Sequence, residues 1–322
     1  MSLITFQGGL GIMGNFYNSY SNFLREKFHK DVYKISLTSN ATCPNRDGTL
    51  GTGGCIYCSA SGSGKVYVKP VYDQVKDFLQ SQNNVNRGYI AYFQSFSNMF
   101  KNRDEIIKDM KRISEFEPIV GFSIATRPDA LDNDIMDYLN SIKDRYLIQI
   151  ELGLETANNI TLEKINRKIK AEQYLTAVKQ IRERITDCHI VCHVILGLLD
   201  ENMDDFENTL EIFLRSKSDG IKFHHLFVQK ETRLSELFNQ GRVRVMDEYE
   251  YIDKVLMLLE MIPPSIVIHR MKSSMVPKDL IAPLWTMDRR FFEKLFAYAK
   301  EHKSYQGRMY GDNDFNCWKK TV

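Results

Sequence analysis

The sequence lacks a surplus of either charge: its 322 residues hold 43 lysines and arginines against 41 aspartates and glutamates. Without a strong field of one sign, overall charge announces no nucleic-acid partner, and such a partner has to be argued from local patches. Long apolar runs are missing too. No 18-residue apolar stretch occurs, and the start, Met1-Ser2-Leu3-Ile4-Thr5, has neither a basic n-region nor a sustained apolar h-region. Neither a membrane span nor a secretory leader is expected. The six cysteines, at 43, 55, 58, 188, 192 and 317, are too few and too unevenly spaced for a disulfide scaffold, which points to a reducing, cytoplasmic setting. Repeats and low-complexity tracts are absent, and 43% hydrophobic with 26% charged residues excludes a disordered or fibrous chain.

What is present is a rhythm. Short β-branched and aromatic runs alternate with amphipathic stretches, as βα units around a parallel sheet do. Six strands are expected: Val32 to Leu37, Tyr89 to Phe93, Ile119 to Ala125, Leu147 to Leu152, Ile190 to Leu196 and Ile221 to Val228. Most are nearly continuous apolar runs, the mark of strands buried on both faces. Asp104 to Phe116, Asp134 to Ser141, Ala171 to Arg184 and Asp204 to Arg215 read as crossover helices. Six strands fall short of a closed eight-stranded barrel. The expected fold is therefore α/β, a partial (β/α)6 TIM-like barrel with its ligands at the C-terminal strand ends. After Lys230 the rhythm changes: helical patterns at Asp247 to Met261 and Arg289 to Glu301 flank Pro263-Pro264 and a short strand-like Ile266 to His269. Residues 1–230 are read as the barrel domain and 231–322 as an α+β extension packed on it.

The strongest local signal follows the first strand, where Cys43, Cys55 and Cys58 form C-x11-C-x2-C in a loop with glycines at 48, 51, 53 and 54. Glycine permits the tight, positive-φ backbone needed to wrap a compact inorganic group. Thiolates are the usual ligands of a [4Fe-4S] cluster, normally four of them, so three would leave one iron open to chelate a substrate. Tyr57, just before the last cysteine, could lie against a flat adenine face. Together these features suggest S-adenosylmethionine bound on a cluster. Zinc is the alternative, but it wants four ligands and usually a second knuckle, and none is seen. Cys188-His189-Ile190-Val191-Cys192-His193 looks like a metal motif, yet positions four apart on a strand stand roughly 13 Å from each other. Buried thiols alternating with barrel-facing imidazoles fit better, and His193 could touch a ligand from the interior. Cys317 reads as a free thiol in a polar tail.

With this loop in place the chain resembles the radical S-adenosylmethionine superfamily, and within it the YhcC/YtqA family, related to the catalytic subunit of Elongator. The resemblance runs through Cys43-Pro44-Asn45-Arg46-Asp47-Gly48-Thr49, Ala91-Tyr92-Phe93-Gln94-Ser95-Phe96-Ser97-Asn98 and Ser123-Ile124-Ala125-Thr126-Arg127-Pro128-Asp129. It continues through Glu151-Leu152-Gly153-Leu154-Glu155-Thr156, Ile165-Asn166-Arg167 and Ile221-Lys222-Phe223-His224 to Leu280-Ile281-Ala282-Pro283-Leu284-Trp285. It implies a cluster held by Cys43, Cys55 and Cys58, reduced by a one-electron donor such as flavodoxin or ferredoxin, and a 5′-deoxyadenosyl radical made from S-adenosylmethionine. By position after their strands, Gln94 could meet the methionyl amine or carboxylate, Arg127 a carboxylate and Glu155 the ribose hydroxyls. Arg127 could equally serve as a strand-end support, and Glu151 reads as a buried, hydrogen-bonded carboxylate.

This chain departs from the resemblance in three places. The family usually carries Gln at Glu155, Gly-Leu-Pro-Gly where this chain has Gly197-Leu198-Leu199-Asp200, and Gly at Glu231. The implied substrate is tRNA, with a wobble-uridine 5-carboxymethylaminomethyl group converted to 5-aminomethyl. Lys164, Arg167, Lys168 and Lys170 near the barrel mouth, and Arg289, Arg290, Lys294, Lys300, Lys303 and Arg308 beyond it, are candidate phosphate contacts or else an ordinary solvated face. A small-molecule or protein substrate, and a non-enzymatic zinc module, are the alternatives.

Overall fold

The computed structural model describes residues 16–59, 62, 68–82, 86–273 and 277–310. Cys317 lies outside them. The six expected strands are present, at β1 (Val32–Leu37), β2 (Gly88–Phe93), β3 (Ile119–Thr126), β4 (Leu147–Glu155), β5 (Cys188–Leu196) and β6 (Gly220–His225). The last is shorter than expected. Val228 instead belongs to β7 (Val228–Gln229), which pairs antiparallel with β9 (Leu280–Ala282) in a separate two-stranded sheet. The short strand after Pro263-Pro264, β8 (Val267–Arg270), adds a seventh parallel strand beside β6, so the sheet order is β1-β2-β3-β4-β5-β6-β8. The sheet therefore continues past residue 230. The result is a curled half-barrel, the partial TIM-like fold expected.

Helices cover the outer face in chain order: α2 (Val71–Gln80), α3 (Arg103–Ile113), α4 (Asn133–Ile142), α6 (Glu172–Arg184), α7 (Met203–Ser216) and α9 (Glu248–Met261), each packed on the next. Their starts are written in the sequence. Asp132 and Asp247 cap α4 and α9, and Asn202 forms a capping box with Asp205 on α7, satisfying backbone N–H groups that lack intrahelical partners. On α3, Ile106, Met110 and Ile113 recur on one face and are fully buried, each contributing roughly 1.5–3 kcal/mol. The shorter helices α5 (Asn159–Lys164) and α8 (Arg233–Asn239) sit beside the cysteine loop, and α10 (Phe291–Glu301) packs on α9.

One end of the half-barrel is closed. The first helix, α1 (Tyr20–Phe28), lies against both edge strands, β1 and β8. Its Leu24 packs with Ile90 and Leu147 near the strand starts, Tyr20 stacks on His269 at 3.9 Å, and the Tyr20 hydroxyl donates to Gln149 Oε1 at 2.8 Å. Among the described residues, the C-terminal strand ends remain open. There the inward positions Ser36, Ala125, His193, Ile195, His224 and Arg270 are partly or fully exposed, while their outward neighbours are buried.

Two departures from the family pattern have a backbone signature. Asp200 and Glu231 stand where glycine is usual and keep φ of 59°, a left-handed conformation that costs a side-chain-bearing residue roughly 1–2 kcal/mol. After the greater unfolded-state freedom of glycine is subtracted, Glu231→Gly and Asp200→Gly are each expected to raise stability by about 0.5–1 kcal/mol in urea denaturation. No gain at either position would contradict the strain.

Candidate active site at the mouth of the half-barrel

The three cysteines occupy the loop that leaves β1 at the open end. Arg46 N and Asp47 N both donate to Cys43 O, at 2.8 and 3.1 Å, Gly54 N donates to Asn45 O at 2.8 Å, and Cys58 N donates to Cys55 O at 3.0 Å. These turns fold the loop back on itself. Gly53 and Gly54 take positive φ, and a Cβ on Gly54 would lie 2.7 Å from Arg46 Nε, so the glycines are needed for the close approach of that guanidinium. Arg46 Nη2 in turn donates to the carbonyls of Cys58 and Ser59, at 2.9 and 2.6 Å.

A second segment clamps the loop from the strand-end side. Ile56 N donates to Ile165 O at 3.1 Å, Asn166 Nδ2 donates to Gly54 O at 2.8 Å, and the buried Asn45 amide donates to Asn166 O. Leu234 N donates to Ile56 O at 2.9 Å and Gln229 Nε2 to Tyr57 O at 3.2 Å. Arg167, expected on a basic surface, is buried. Its Nη1 approaches Cys55 Sγ at 4.0 Å, while Nη2 donates to Gly153 O at 2.9 Å and pairs with Glu155 Oε1 at 3.2 Å. Gly153 has no room for a side chain: a Cβ there would stand 2.6 Å from Arg167 Nη2.

The predicted cofactor residues divide into three kinds. Gln94 is partly exposed at the end of β2 and its side chain has no hydrogen bond among the described residues. Glu155 faces Arg167 from a left-handed backbone at φ 66°, and burial raises its carboxyl against the pull of Arg167 and Arg127. Arg127 does meet a carboxylate, but it is Asp129, gripped at 2.8 Å by both Nε and Nη2. Arg127 Nη2 also donates to Arg167 O at 3.0 Å, leaving the buried Nη1 without a partner among the described residues. Tyr57 packs against the core, with burial pushing its hydroxyl well above the ordinary range.

The thiols suit an iron-sulfur group. Cys55 is buried with the Asn45 amide 3.9 Å from its sulfur and the Arg167 guanidinium beyond, donors of the kind that stabilise ligated thiolates. Burial pushes the Cys58 thiol up, opposed by Arg46, and coordination deprotonates such a thiol outright. Cys55 and Cys58 share the wall of a cavity of about 280 Å³ with Gly54, Arg46 and Arg233. No three described His, Cys, Asp or Glu side chains can share a single metal ion, whereas the thiolates of a cluster each take a different iron. Cys188 and Cys192 are buried free thiols on the strand face away from the lumen, as expected, and His189 and His193 point inward.

Beneath the mouth lies a polar layer of which the sequence disclosed only Glu151 and His193. Both Lys34 and Lys222 pair with Glu151, Tyr92 donates its hydroxyl at 2.7 Å, Ser123 donates at 3.0 Å, and His193 Nε2 lies 2.8 Å from the same carboxylate. Burial alone would raise Glu151; Lys222, Lys34 and His193 together outweigh it and hold the carboxyl well below the usual range. His193 is pushed down to about 4 by burial and then by Lys222. Isolated lysines inside the apolar strands Val32–Leu37 and Gly220–His225 were the signal available in the sequence.

Residues 41–213 match the radical SAM superfamily and 218–301 its C-terminal domain. The chain belongs to the radical SAM superfamily. It is 32% identical to YtqA of Bacillus subtilis (strain 168), over 91% of this chain and 92% of that protein. With YhcC of Escherichia coli (strain K12) it shares 30%, over 88% and 93%, so the YtqA/YhcC family expected from the cysteine loop is the right one. A tRNA-2-methylthio-N(6)-dimethylallyladenosine synthase from Alkaliphilus oremlandii (strain OhILAs) is 23% identical, over 62% of this chain and 44% of that one. Among solved structures, the archaeal Methanocaldococcus infernus Elp3 superposes with a TM-score of 0.63 at 12% identity, over 85% of this chain and 64% of that one. This chain thus spans less than two-thirds of that protein, and the likeness is one of fold. Members of the superfamily use a [4Fe-4S] cluster and S-adenosylmethionine.

The Glu151 layer makes a stability prediction. Glu151→Gln leaves two buried ammonium groups without their counter-charge and is expected to cost roughly 3–5 kcal/mol. Because the native pKa lies below the ordinary 4.5, the stabilisation is complete above that value and is lost as pH falls through the native one. Urea melts of both proteins from pH 7 to pH 3 check this: the wild-type advantage should shrink on acidification, and a pH-independent difference would contradict it.

Proposed function

We propose that this protein is a radical S-adenosylmethionine enzyme of tRNA that shortens the 5-carboxymethylaminomethyl side chain of a wobble uridine to 5-aminomethyl. The carboxymethyl C–H gives two electrons to S-adenosylmethionine, one of them by way of the cluster, and water then cleaves the C–N bond so that the two carbons leave as glyoxylate. The observation that carries the reading is a loop of three cysteines at the C-terminal strand ends of the half-barrel, flanked by exposed Lys164, Lys168 and Lys170. Relatives named as tRNA-2-methylthio-N(6)-dimethylallyladenosine synthases support the substrate class. When bound, the cluster and S-adenosylmethionine supply one-electron reductive cleavage, and with it the radical that takes a hydrogen atom from the substrate.

The chain's own residues bind and orient. Cys43, Cys55 and Cys58 would hold the cluster with one iron left open for S-adenosylmethionine, and Gln94, whose side chain has no hydrogen bond among the described residues, would meet the methionyl amine or carboxylate. Tyr57 gives an aromatic face for adenine. Glu155, fixed in direction by Arg167, accepts from the ribose hydroxyls, and Arg127 serves as the support that holds the Arg167 carbonyl. A one-electron protein reductant of the flavodoxin or ferredoxin type, in the cytoplasm, completes the system. Of the basic residues read as phosphate contacts, Arg167 is buried, Lys294 is tied to Glu248 and Asp288, and Arg308 pairs with Glu260. The exposed set without an ion pair among the described residues is Lys168 and Lys170 with Arg289, Arg290, Lys300 and Lys303, and exposed Lys164 lies 3.6 Å from Asp200.

The test is anaerobic reconstitution followed by dithionite, S-adenosylmethionine and tRNA bearing 5-carboxymethylaminomethyluridine, with products read by mass spectrometry. The expected result is 5′-deoxyadenosine together with the shortened side chain, and tRNA affinity that falls steeply with salt. Deoxyadenosine with unchanged tRNA would transfer the substrate to a small molecule or a protein, and neither product from a protein with an intact cluster would overturn the reading. Cys58→Ala is expected to abolish deoxyadenosine formation; persistent formation would defeat the ligand assignment.

A further inference from the structure

We propose that the floor of the lumen binds a carboxylate at the end of the substrate, held by Arg270, Lys222 and Lys34, with Glu151 as their fixed counter-charge. Three cations gather around one acid. Arg270, on the last strand of the sheet, lies within electrostatic reach of Lys34, Lys222, His193 and His224, and its guanidinium has no ion pair or hydrogen bond among the described residues. Both carboxylate oxygens of Glu151 are already occupied, Oε1 by Lys34 and Ser123 and Oε2 by Lys222, Tyr92 and His193. In their charged forms Lys34, Lys222 and Arg270 outnumber Glu151 by two; burial and the neighbouring cations push the Lys222 ammonium well down and that of Lys34 down, and an anion among them would relieve that repulsion. The buried ring nitrogen Nε2 of His224, beside His193 at 5.3 Å between centroids, also lacks a partner.

The geometry decides which kind of anion. Glu151 stands four residues before Glu155 on β4, and Lys222 and Arg270 are in register with His193 and Gly153, so Glu151 and the cations around it lie below the level of Glu155. Part of this layer is open to solvent: 16% of the Lys34 side chain and 20% of the His193 side chain are exposed, against 5% for Lys222 and none for Glu151. A ligand has to pass a thin chain down from the mouth and end it in a negative charge. A short side chain ending in a carboxylate fits, and the planar fork of Arg270 suits it; a phosphodiester, flanked on both sides by sugars, is too bulky for that depth. The 5-carboxymethylaminomethyl group is such a chain. The substrate's identity thus rests on the function proposed above, while the site rests on the register that sets Arg270 beside Lys222 and on a guanidinium with no partner among the described residues.

The experiment is calorimetric titration of the anaerobically reconstituted holoenzyme with N-acetylglycine, a carboxymethylated amide, against its neutral counterpart N-acetylglycinamide. The wild type is expected to bind the acid and not the amide. Arg270→Gln is expected to weaken the acid by roughly ten- to a hundredfold, the loss of one charge-assisted pair. Arg270 is partly exposed, so the variant should keep the wild-type melting temperature. Equal binding of acid and amide, binding of neither, or unchanged affinity in a folded Arg270→Gln would each overturn the site. A parallel titration compares anticodon stem-loops carrying 5-carboxymethylaminomethyluridine and 5-aminomethyluridine. Acid binding with no preference between the two RNAs would sink the tRNA reading and leave the carboxylate site standing; a preference for the first RNA that vanishes in Arg270→Gln supports both.

Discussion

The Arg167 guanidinium is the contact on which the site depends. It lies buried between the Cys55 sulfur, the Gly153 carbonyl and the Glu155 carboxylate, and its own carbonyl is held by Arg127, which Asp129 locks in place. One side chain thus ties the cysteine loop of β1 to the end of β4 and, through Arg127, to the end of β3. A buried cation of this kind is costly unless paired and hydrogen-bonded on several sides. Here the pairing partners are the groups assigned to the cluster and to the cofactor, so the arrangement that makes Arg167 tolerable also sets their relative position.

The same rule governs the lumen. Strands buried on both faces are expected to be apolar throughout, and the outward faces of this sheet are largely so, with Thr126 and His225 as buried polar exceptions. Inward, the half-barrel carries Lys34, Tyr92, Ser123, Glu151, His193 and Lys222, joined through a single carboxylate. Aromatic rings share the load: Lys34 and Lys222 stand 4.7 and 4.9 Å from the Tyr92 centroid. A polar interior of this extent weakens a core that could have been filled with hydrocarbon, which is understandable where the interior opens on a reaction site.

Much of this was readable in advance because strand and helix periodicities are local properties. The first five strands lie within a few residues of their expected limits, and Asp132, Asn202 and Asp247 begin the helices as capping residues should. What escaped depends on contacts distant in sequence. Val267–Arg270 is too short to identify itself as a barrel strand, and it becomes one only through pairing with β6. Tyr20, Phe23 and Leu24 show an amphipathic turn but not that it closes the barrel end. Arg167 stands among lysines and reads as surface charge, and only the fold turns it inward. Conversely, the three-cysteine loop was legible because its ligands and glycines are neighbours in the chain.

The central claim is that three thiolates leave one iron of a [4Fe-4S] cluster free for S-adenosylmethionine. Mössbauer spectra of protein reconstituted with isotope-labelled iron, recorded with and without S-adenosylmethionine, test it without reference to any substrate. A change confined to one iron site of the four on adding S-adenosylmethionine is the result expected. Spectra identical in both conditions, from a protein shown to contain the intact cluster, would contradict it.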